Sequence, residues 1–483
     1  MSYKIDNKTY LILFLISSVI FLASLYHREI TYDDAFFAEQ AYWANKIGYV
    51  RSELFNDYED WGTRQYIYLK LHVWQTALVD RIFGWSAYIF KTIPLVYLCI
   101  FIFFAYQYYK RYLSPDGIEP FYFFLSLLLL NTYVVHFGFE NRPEIMQMCV
   151  GFLSFLSLRQ GIKFEKPLYI ISAGLLAGIT VLFHFNGIIY ITAGAGLIIY
   201  MRYYRYLLYF VVAAACIAPI YWYEMIANHA VDIAINQMIN YPSLSKEGLS
   251  LKNILLKILF SPKRYVIHLQ EFSYVLLFIL SLYFNRHSLK SNPEIKILLV
   301  YLIISELTLI IIAPGGKAMY LVLHLPYVLF IIAVLNKSLF HKPLHKPMLY
   351  AFTFYTLAQI GHIGSLISHH NSEIIDQHAQ IVEKYHIQKS EKIIAPDVFV
   401  FNQVANTKIT ATELFSYFGI SGKLVKTTKE LFEYAHRHDY RYLILRKNNF
   451  YDIDANTLIL GQVLFGYRLI GHDFEYYIFR KQP

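Results

Sequence analysis

The sequence predicts an α-helical polytopic membrane protein of about eleven transmembrane helices, with a small C-terminal α/β domain on the outer face. Three observations carry this. Of the 483 residues, 57% are apolar and only 16% charged, where soluble domains carry about 25% charged residues. The apolar residues gather in runs comparable to the roughly 20 residues a spanning helix needs. Lys and Arg gather between alternate runs rather than on one face. High hydrophobicity and low charge also exclude an intrinsically disordered chain. Cys99, Cys149 and Cys216 all lie inside apolar runs, so neither a disulfide framework nor a thiolate metal site is implied. The 44 tyrosines and 38 phenylalanines suit a protein with much surface at membrane interfaces.

The first run, 10–26, lacks a small-residue cleavage site and reads as a retained helix, not a signal peptide. Further runs are centred near residues 98, 128, 152, 176, 194, 214, 278, 304, 327 and 357. A Gly-containing turn at His184-Phe185-Asn186-Gly187 must split one long apolar stretch into two. With the N-terminus inside, the inner segments hold fifteen basic residues, among them Lys110, Arg111, Arg159, Lys163, Arg286 and Lys346. The short outer turns hold only Arg142 and Lys317. By the positive-inside rule this predicts a cytoplasmic N-terminus and an outer C-terminus. The net charge of +9 is then a topology signal, and no nucleic-acid partner is expected.

Residues 1–368 form the membrane part, with long outer loops at 28–86 and 224–270. Residues 369–483 form the outer domain. Its short β-like runs (392–395, 440–445 and 476–480) alternate with helical ones, and Thr427 followed by Glu430 reads as a capping box.

The outer parts hold the candidate chemistry. Asp33-Asp34 open a helical pattern with Ala35, Ala38, Ala41 and Tyr42 on one face, as in an amphipathic helix lying on a membrane. Carboxylates there suit the positive end of the helix dipole, so an N-cap and its neighbour is one reading. A general base oriented by the adjacent acid is the other. A second amphipathic stretch contains Lys70-Leu71-His72-Val73-Trp74, with Phe83-Gly84-Trp85 behind it. The outer end of the third run carries Arg142-Pro143-Glu144, and Gly315-Gly316-Lys317 precedes a late span. Consecutive glycine N–H groups can form an anion-holding concavity beside the lysine. Tyr320 and His324 follow Lys317 on one helical face. A snorkelling lysine and a helix-end anchor are the structural alternatives for Lys317 and Arg142. Glu306, mid-span, reads as paired with a lysine or tyrosine of a neighbouring helix. Asp452-Ile453-Asp454 reads as a turn and helix cap.

In this order and on this side, the set resembles the GT-C superfamily of polyprenyl-phosphate-sugar glycosyltransferases. It is most similar to protein O-mannosyltransferases and to the transferases that add aminoarabinose to lipid A. The resemblance implies a membrane glycosyltransferase, inverting, with Asp33 as catalytic base and Asp34 second. It implies that Arg142, Lys317 and Lys70 hold the donor phosphate, and that Glu144 serves the acceptor or a metal. The sequence departs from the family where a Lys-Pro-Pro often stands: Tyr68, Leu69 and Lys70 occupy those positions, with the lysine displaced. It departs from the mannosyltransferases in the short Arg142-Pro143-Glu144 spacing. The implied partners are a polyprenyl-phosphate-linked sugar and a glycan, lipid or protein acceptor. A divalent cation on Asp33, Asp34 and Glu144 is compatible with hard oxygen ligands. No Gly-x-Gly-x-x-Gly follows a strand, so no nucleotide cofactor is expected. The short N-terminus and the absence of a retention signal at the C-terminus point to a bacterial inner membrane. The rival reading is a transporter or flippase of lipid-linked saccharides, which would show paired repeats and interrupted helices near the midplane.

Overall fold

Twenty residues from Asn7 to Tyr26 form α1, which carries an outward band of large apolar side chains, Val19 being 66% exposed. Such a band is stable only against lipid or another protein. The computed structural model describes residues 7–26, 28–113, 117–241, 251–312, 318–336, 346–368, 373–420 and 423–483. After α1 come two helices of the first outer loop, α2 (Tyr32–Ile47) and α3 (Lys70–Phe83). The membrane part continues with α4 (Ala87–Tyr108), α5 (Glu119–Leu130), α6 (Thr132–Phe137), α7 (Glu144–Phe164), α8 (Pro167–Phe183), α9 (Ile188–Tyr200) and α10 (Arg205–Ala215). Then follow α11 (Ala218–Ala227), α12 (Val231–Ile239), α13 (Leu251–Phe260), α14 (Leu269–Phe284), α15 (Arg286–Ser291), α16 (Pro293–Ile312), α17 (Leu325–Leu335) and α18 (Lys346–Ser368).

Every apolar centre read from the sequence falls within a helix. Six helical segments among the described residues are long and apolar enough to cross a bilayer. A seventh crossing exists if 255–265 and 269–284, bent by 95° at their junction, count as one. Glu119–Leu130, Pro167–Phe183 and Phe185–Tyr200 are apolar but shorter. Asn131 explains the first of these, because it leaves the helix with extended backbone and accepts the Tyr133 N–H to start α6. The turn at His184 splits α8 from α9, as the sequence required. Gly174 and Gly178 let α8 approach α10 closely: an added Cβ would sit 2.3 Å from the Phe210 carbonyl oxygen and 2.6 Å from that of Ala214. This is the small-residue packing that membrane helices use in place of a hydrophobic drive.

The two ends of the bundle are held by polar clusters. At one end Arg159 near the end of α7 makes a two-pronged bond to Glu294 at the start of α16 (3.0 and 2.7 Å), and Tyr108 of α4 donates to the same carboxylate at 2.7 Å. At the other end lie the start of α7, the start of α4, the outer loops and the C-terminal domain.

That domain begins with α19 (Ile374–Lys384) and builds a six-stranded sheet ordered β2-β1-β3-β6-β5-β4. Its strands are β1 (Lys392–Ala395), β2 (Lys408–Ala411), β3 (Tyr442–Arg446), β4 (Val463–Leu464), β5 (Tyr467–Asp473) and β6 (Tyr476–Lys481). The first three run parallel and the others pair antiparallel. The short α20 (Val400–Gln403) and α21 (Thr428–Arg437) lie between strands. Thr427 and Glu430 make the expected capping box at α21. Asp452 accepts the Thr428 N–H at 2.8 Å and Asp454 caps a short turn, as the sequence suggested.

Packing crosses the 368/369 boundary. One buried cluster joins Ala35, Phe36, Phe55 and Trp61 of the first outer loop to Phe399, Phe415 and Leu443 of the C-terminal domain. This changes the picture of α2. Its Ala stripe is buried, but so are Phe36, Phe37, Glu39 and Gln40 on its other sides. α2 is an interior helix at the junction of loop and domain, not one laid on a surface.

Candidate active site

The N-cap of α2 is Thr31, one residue before the helix and two before the acidic pair. Its hydroxyl accepts the Asp34 N–H at 3.3 Å, and the Asp34 carboxylate accepts the Thr31 N–H at 2.8 Å. The reciprocal arrangement is a capping box with Asp in the place of Glu. Asp34 also accepts the Asn141 N–H at 2.6 Å and a bond from Lys91 Nζ at 3.1 Å. Both Asp34 and Lys91 are fully buried. Asp34 thereby ties three segments together: the start of α2, the start of α4 and the turn before α7.

Asp33 faces differently. Its Oδ2 accepts a bond from Nη1 of Arg142. The same guanidinium grips Glu144 at both oxygens, Nε to Oε2 at 3.1 Å and Nη2 to Oε1 at 2.5 Å. A planar guanidinium matches a carboxylate in this fork geometry. Arg142 therefore links two acids and keeps N–H capacity beyond the three bonds it makes, since it has five donors. Burial pushes the Asp33 carboxyl up to about 6; Arg142 opposes this, while Glu140, Glu144 and Asp34 reinforce it. Glu140, pushed up by burial to about 7 against the pull of Arg142, accepts a bond from the Thr31 hydroxyl at 2.8 Å and lies 3.3 Å from His136.

The turn carrying these groups is fixed by α3. His72 Nε2 lies 3.2 Å from the Asn141 carbonyl oxygen, and Thr76 donates to the Asn141 side chain at 3.3 Å. Burial holds His72 neutral, down to about 4. The Leu-His-Val-Trp segment thus aligns the Arg142 turn against α2. On the membrane side, Met319 Sδ lies 3.8 Å from Arg142 Nη2. Tyr320 bonds Asn186 and stands within electrostatic reach of Asp33, Arg142 and Glu144.

Of the residues expected from sequence, Asp33, Asp34, Arg142 and Glu144 converge. Lys70 belongs to a second cluster: its ammonium bonds Glu224 at 2.9 Å and lies over the rings of Tyr68 and Tyr221. Arg64 shares Glu224 at 2.9 Å, and burial pulls the Lys70 ammonium below the usual lysine range. Lys317 lies outside the described residues, as do Gly315 and Gly316. Lys91, Glu140 and Glu224 escaped the sequence reading as site residues, whereas Tyr320 was placed there beside Lys317. Only Glu140, in the segment already singled out, offered a signal.

Glu306 is paired within the bundle as anticipated, with Tyr265 and also with His324 Nδ1 at 2.9 Å and Arg264 Nη1 at 3.6 Å. Beside it lies a cavity of about 330 Å³ lined by Tyr274, Phe278, Leu302, Leu321 and Val328. The 3₁₀ segment Ala318–His324 connects this cluster to the Arg142 site, a rise of about 10 Å over five residues.

The acidic residues do not fit a divalent cation. Asp34 is committed to Lys91 and two backbone N–H groups, and Glu144 to both prongs of Arg142. Among the described residues no group of three or more His, Cys, Asp or Glu is arranged to hold a metal.

No protein-family model and no curated protein matches the sequence. Solved structures do match the fold. ArnT from Cupriavidus metallidurans bound to undecaprenyl phosphate superposes with a TM-score of 0.62 at 13% identity, over 98% of both chains. Its apo form gives 0.59 at 12%, again over 98% of both. The apo oligosaccharyltransferase of Archaeoglobus fulgidus gives 0.55 at 11%, over 91% of this chain and 70% of that one. The fold is therefore shared with these solved structures, and with ArnT the likeness extends over nearly the whole chain, C-terminal domain included.

Proposed function

We propose that the chain is an inverting glycosyltransferase that moves a sugar from a polyprenyl phosphate to an acceptor hydroxyl on the outer face of a membrane. One observation carries the reading. Among the described residues, Asp34 is fully buried and bonded to Lys91 and two backbone N–H groups, Glu144 has both oxygens in the Arg142 fork, and Glu140 has Oε1 on Thr31 and an unbonded Oε2 closed off from the surface. Asp33, by contrast, is 7% exposed and bonded to Arg142 through Oδ2. A base must present a free oxygen to its substrate, and Asp33 is the member able to do so.

Asp33 takes the proton of the acceptor hydroxyl as that oxygen bonds to the anomeric carbon. The carbon–oxygen bond to the phosphate breaks, and the polyprenyl phosphate leaves with the electron pair. Negative charge grows on the phosphate oxygens. Arg142 meets it with its remaining N–H group, and Lys317 and Lys70 supply further cations; charge-assisted bonds of this type stabilise a leaving phosphate. Glu144 holds the Arg142 fork in its plane. The cavity beside Glu306 suits the start of a polyprenyl chain, with Arg264 a further cation on that path. Fold likeness to ArnT with bound undecaprenyl phosphate supports the choice of donor. Eleven crossings with the N-terminus in the cytoplasm, in a bacterial inner membrane, complete the proposal. Transfer from added polyprenyl-phosphate-sugar in isolated membranes tests it, with Asp33→Asn as the decisive variant.

A further inference from the structure

We propose that Tyr32 and Tyr417 form the binding platform for a pyranose ring of the acceptor, so that the acceptor is a saccharide and the C-terminal domain selects it; this rests on the glycosyl-transfer reading above. Tyr32 is the first residue of α2, directly before Asp33, and is 43% exposed. Tyr417 comes from the C-terminal domain, in the turn Leu414–Phe418, and is 63% exposed. Their ring centroids lie 6.5 Å apart with planes tilted by 39°. Two contact layers of about 3.5–4 Å each would be needed to sandwich a sugar between them, so the rings instead form one stepped lip. Tyr32 is within electrostatic reach of Asp33, Tyr417 and Tyr241, and Tyr241 of Asp33 as well. Tyrosines from two other parts of the chain thus come within electrostatic reach of Tyr32, and both Tyr32 and Tyr241 within reach of Asp33.

Tyr417 does not owe its exposure to a loose loop. Its neighbour Phe418 is wedged against Phe55 (4.1 Å between centroids), Tyr58 and Trp61. Gly419 closes the turn at φ +78°, where a side chain would also strike the Lys423 carbonyl oxygen at 2.7 Å. A rigidly held aromatic left in water beside a reactive carboxylate suits a ligand with a flat apolar face and a hydroxylated edge. A pyranose has both. A peptide acceptor would favour addition to a sheet edge. The nearby edge strand is β2, and its Ala411 N–H is already bonded to the Leu54 carbonyl at 3.0 Å.

The test uses the full chain in lipid nanodiscs and saturation-transfer NMR with maltohexaose, chitohexaose and a Ser/Thr-containing hexapeptide as probes. The parent should saturate ring protons of at least one hexasaccharide and none of the peptide. Tyr417→Ala should weaken that binding about two- to tenfold, the range of one aromatic contact, and Tyr32→Ala likewise. Tyr417→Phe, which keeps the ring, should bind as the parent does. Unchanged binding in Tyr417→Ala, no saturation of either saccharide, or uptake of the peptide instead would each overturn the proposal. Failure of the glycosyl-transfer reading registers elsewhere, as undiminished transfer by Asp33→Asn.

Discussion

Replacing Asp33 with asparagine exchanges one oxygen for an amide NH₂ and removes the only property a base needs. The cap of α2 is untouched, because Thr31 and Asp34 supply it. Transfer should fall by about 10²–10⁴, the usual contribution of a general base. The parent's pH profile gives a second magnitude. Burial lifts the Asp33 carboxyl to about 6, with Arg142, Glu140, Glu144 and Asp34 as the facing charges; Asp397 of the C-terminal domain also interacts with it. With that value about 90% of the site is ionised at pH 7 and about 10% at pH 5, so kcat/KM should drop about tenfold across those two pH values. An ordinary aspartate near 3.9 would lose less than about a tenth of its activity there. The stability sign runs the other way. Between about 3.8 and 6 the folded chain holds a proton the unfolded chain has released, so stability falls as pH rises through that window. Asparagine carries no such cost, so Asp33→Asn should unfold at the parent's temperature or above at pH 7. Radiolabelled sugar transfer in membranes, with thermal unfolding in detergent as control, reads all three. Robust transfer by the variant, or a parent midpoint near 4, would refute the assignment.

Arg142→Gln removes the charge that opposes the effect of burial on Asp33, so the pH midpoint should move above 6 and transfer at pH 7 should fall; a midpoint at or below 6 would separate the two residues. Lys91→Met leaves the Asp34 carboxylate buried without its cation and should destabilise the chain by about 3–5 kcal/mol, with partial recovery in Asp34→Asn/Lys91→Met, both read by thermal unfolding. Lys317→Ala and Lys70→Gln should each raise the KM for the lipid donor; an unchanged KM for Lys70→Gln would leave it only as the partner of Glu224. A topology reporter fused after Pro483 should be active outside and one in the 337–346 loop inside, while the reverse would put Asp33 on the cytoplasmic face.

The gathering of the site at one end of the bundle was legible because topology is written in local composition. Asp33-Asp34, His72, Arg142 and Glu144 could all be assigned to one face from basic loops alone, and the structure brings them to one end of the bundle. What could not be read was which side chain engages which. Lys91 is 57 residues from Asp34, and Glu224 is 154 residues from Lys70; neither spacing leaves a trace in a single sequence. The spacing of Ala35, Ala38 and Ala41 marks one buried face correctly. It says nothing of a domain more than 300 residues later that covers the opposite face, so a helix buried all round over residues 33–41 read as a surface helix. Three short strands of the sheet, β2, β4 and β5, also escaped, because their two to seven residues lack sustained alternation. Lys70 was read as a phosphate ligand from the resemblance; its partner in the structure is Glu224 on α11.

Two adjacent carboxylates can serve different ends because consecutive residues on a helix point about 100° apart. Asp34 turns toward the Asn141 turn and Lys91, where both of its oxygens are bonded and the carboxylate is fully buried. Asp33 turns toward Arg142 and the tyrosine lip, where one cation orients it. The fixed member makes the mobile proton possible: Asp34 sets the Asn141 turn, that turn carries Arg142, and Arg142 aims Asp33. A substitution at Asp34 therefore acts on transfer through geometry, and it should alter the Asp33 midpoint as well as the rate. Asp34→Asn keeps an oxygen acceptor for the Asn141 N–H but loses its attraction for Lys91, so the turn should loosen and Arg142 should hold Asp33 less firmly. The parent's Asp33 midpoint near 6 should then move upward, since the balancing cation is further away, although the removed Asp34 charge works in the opposite sense. If Asp34 acted as the base itself, Asp34→Asn would abolish transfer at every pH and leave no midpoint to follow. A measurable, shifted profile in Asp34→Asn beside a flat, near-zero one in Asp33→Asn is the pattern this division of labour requires.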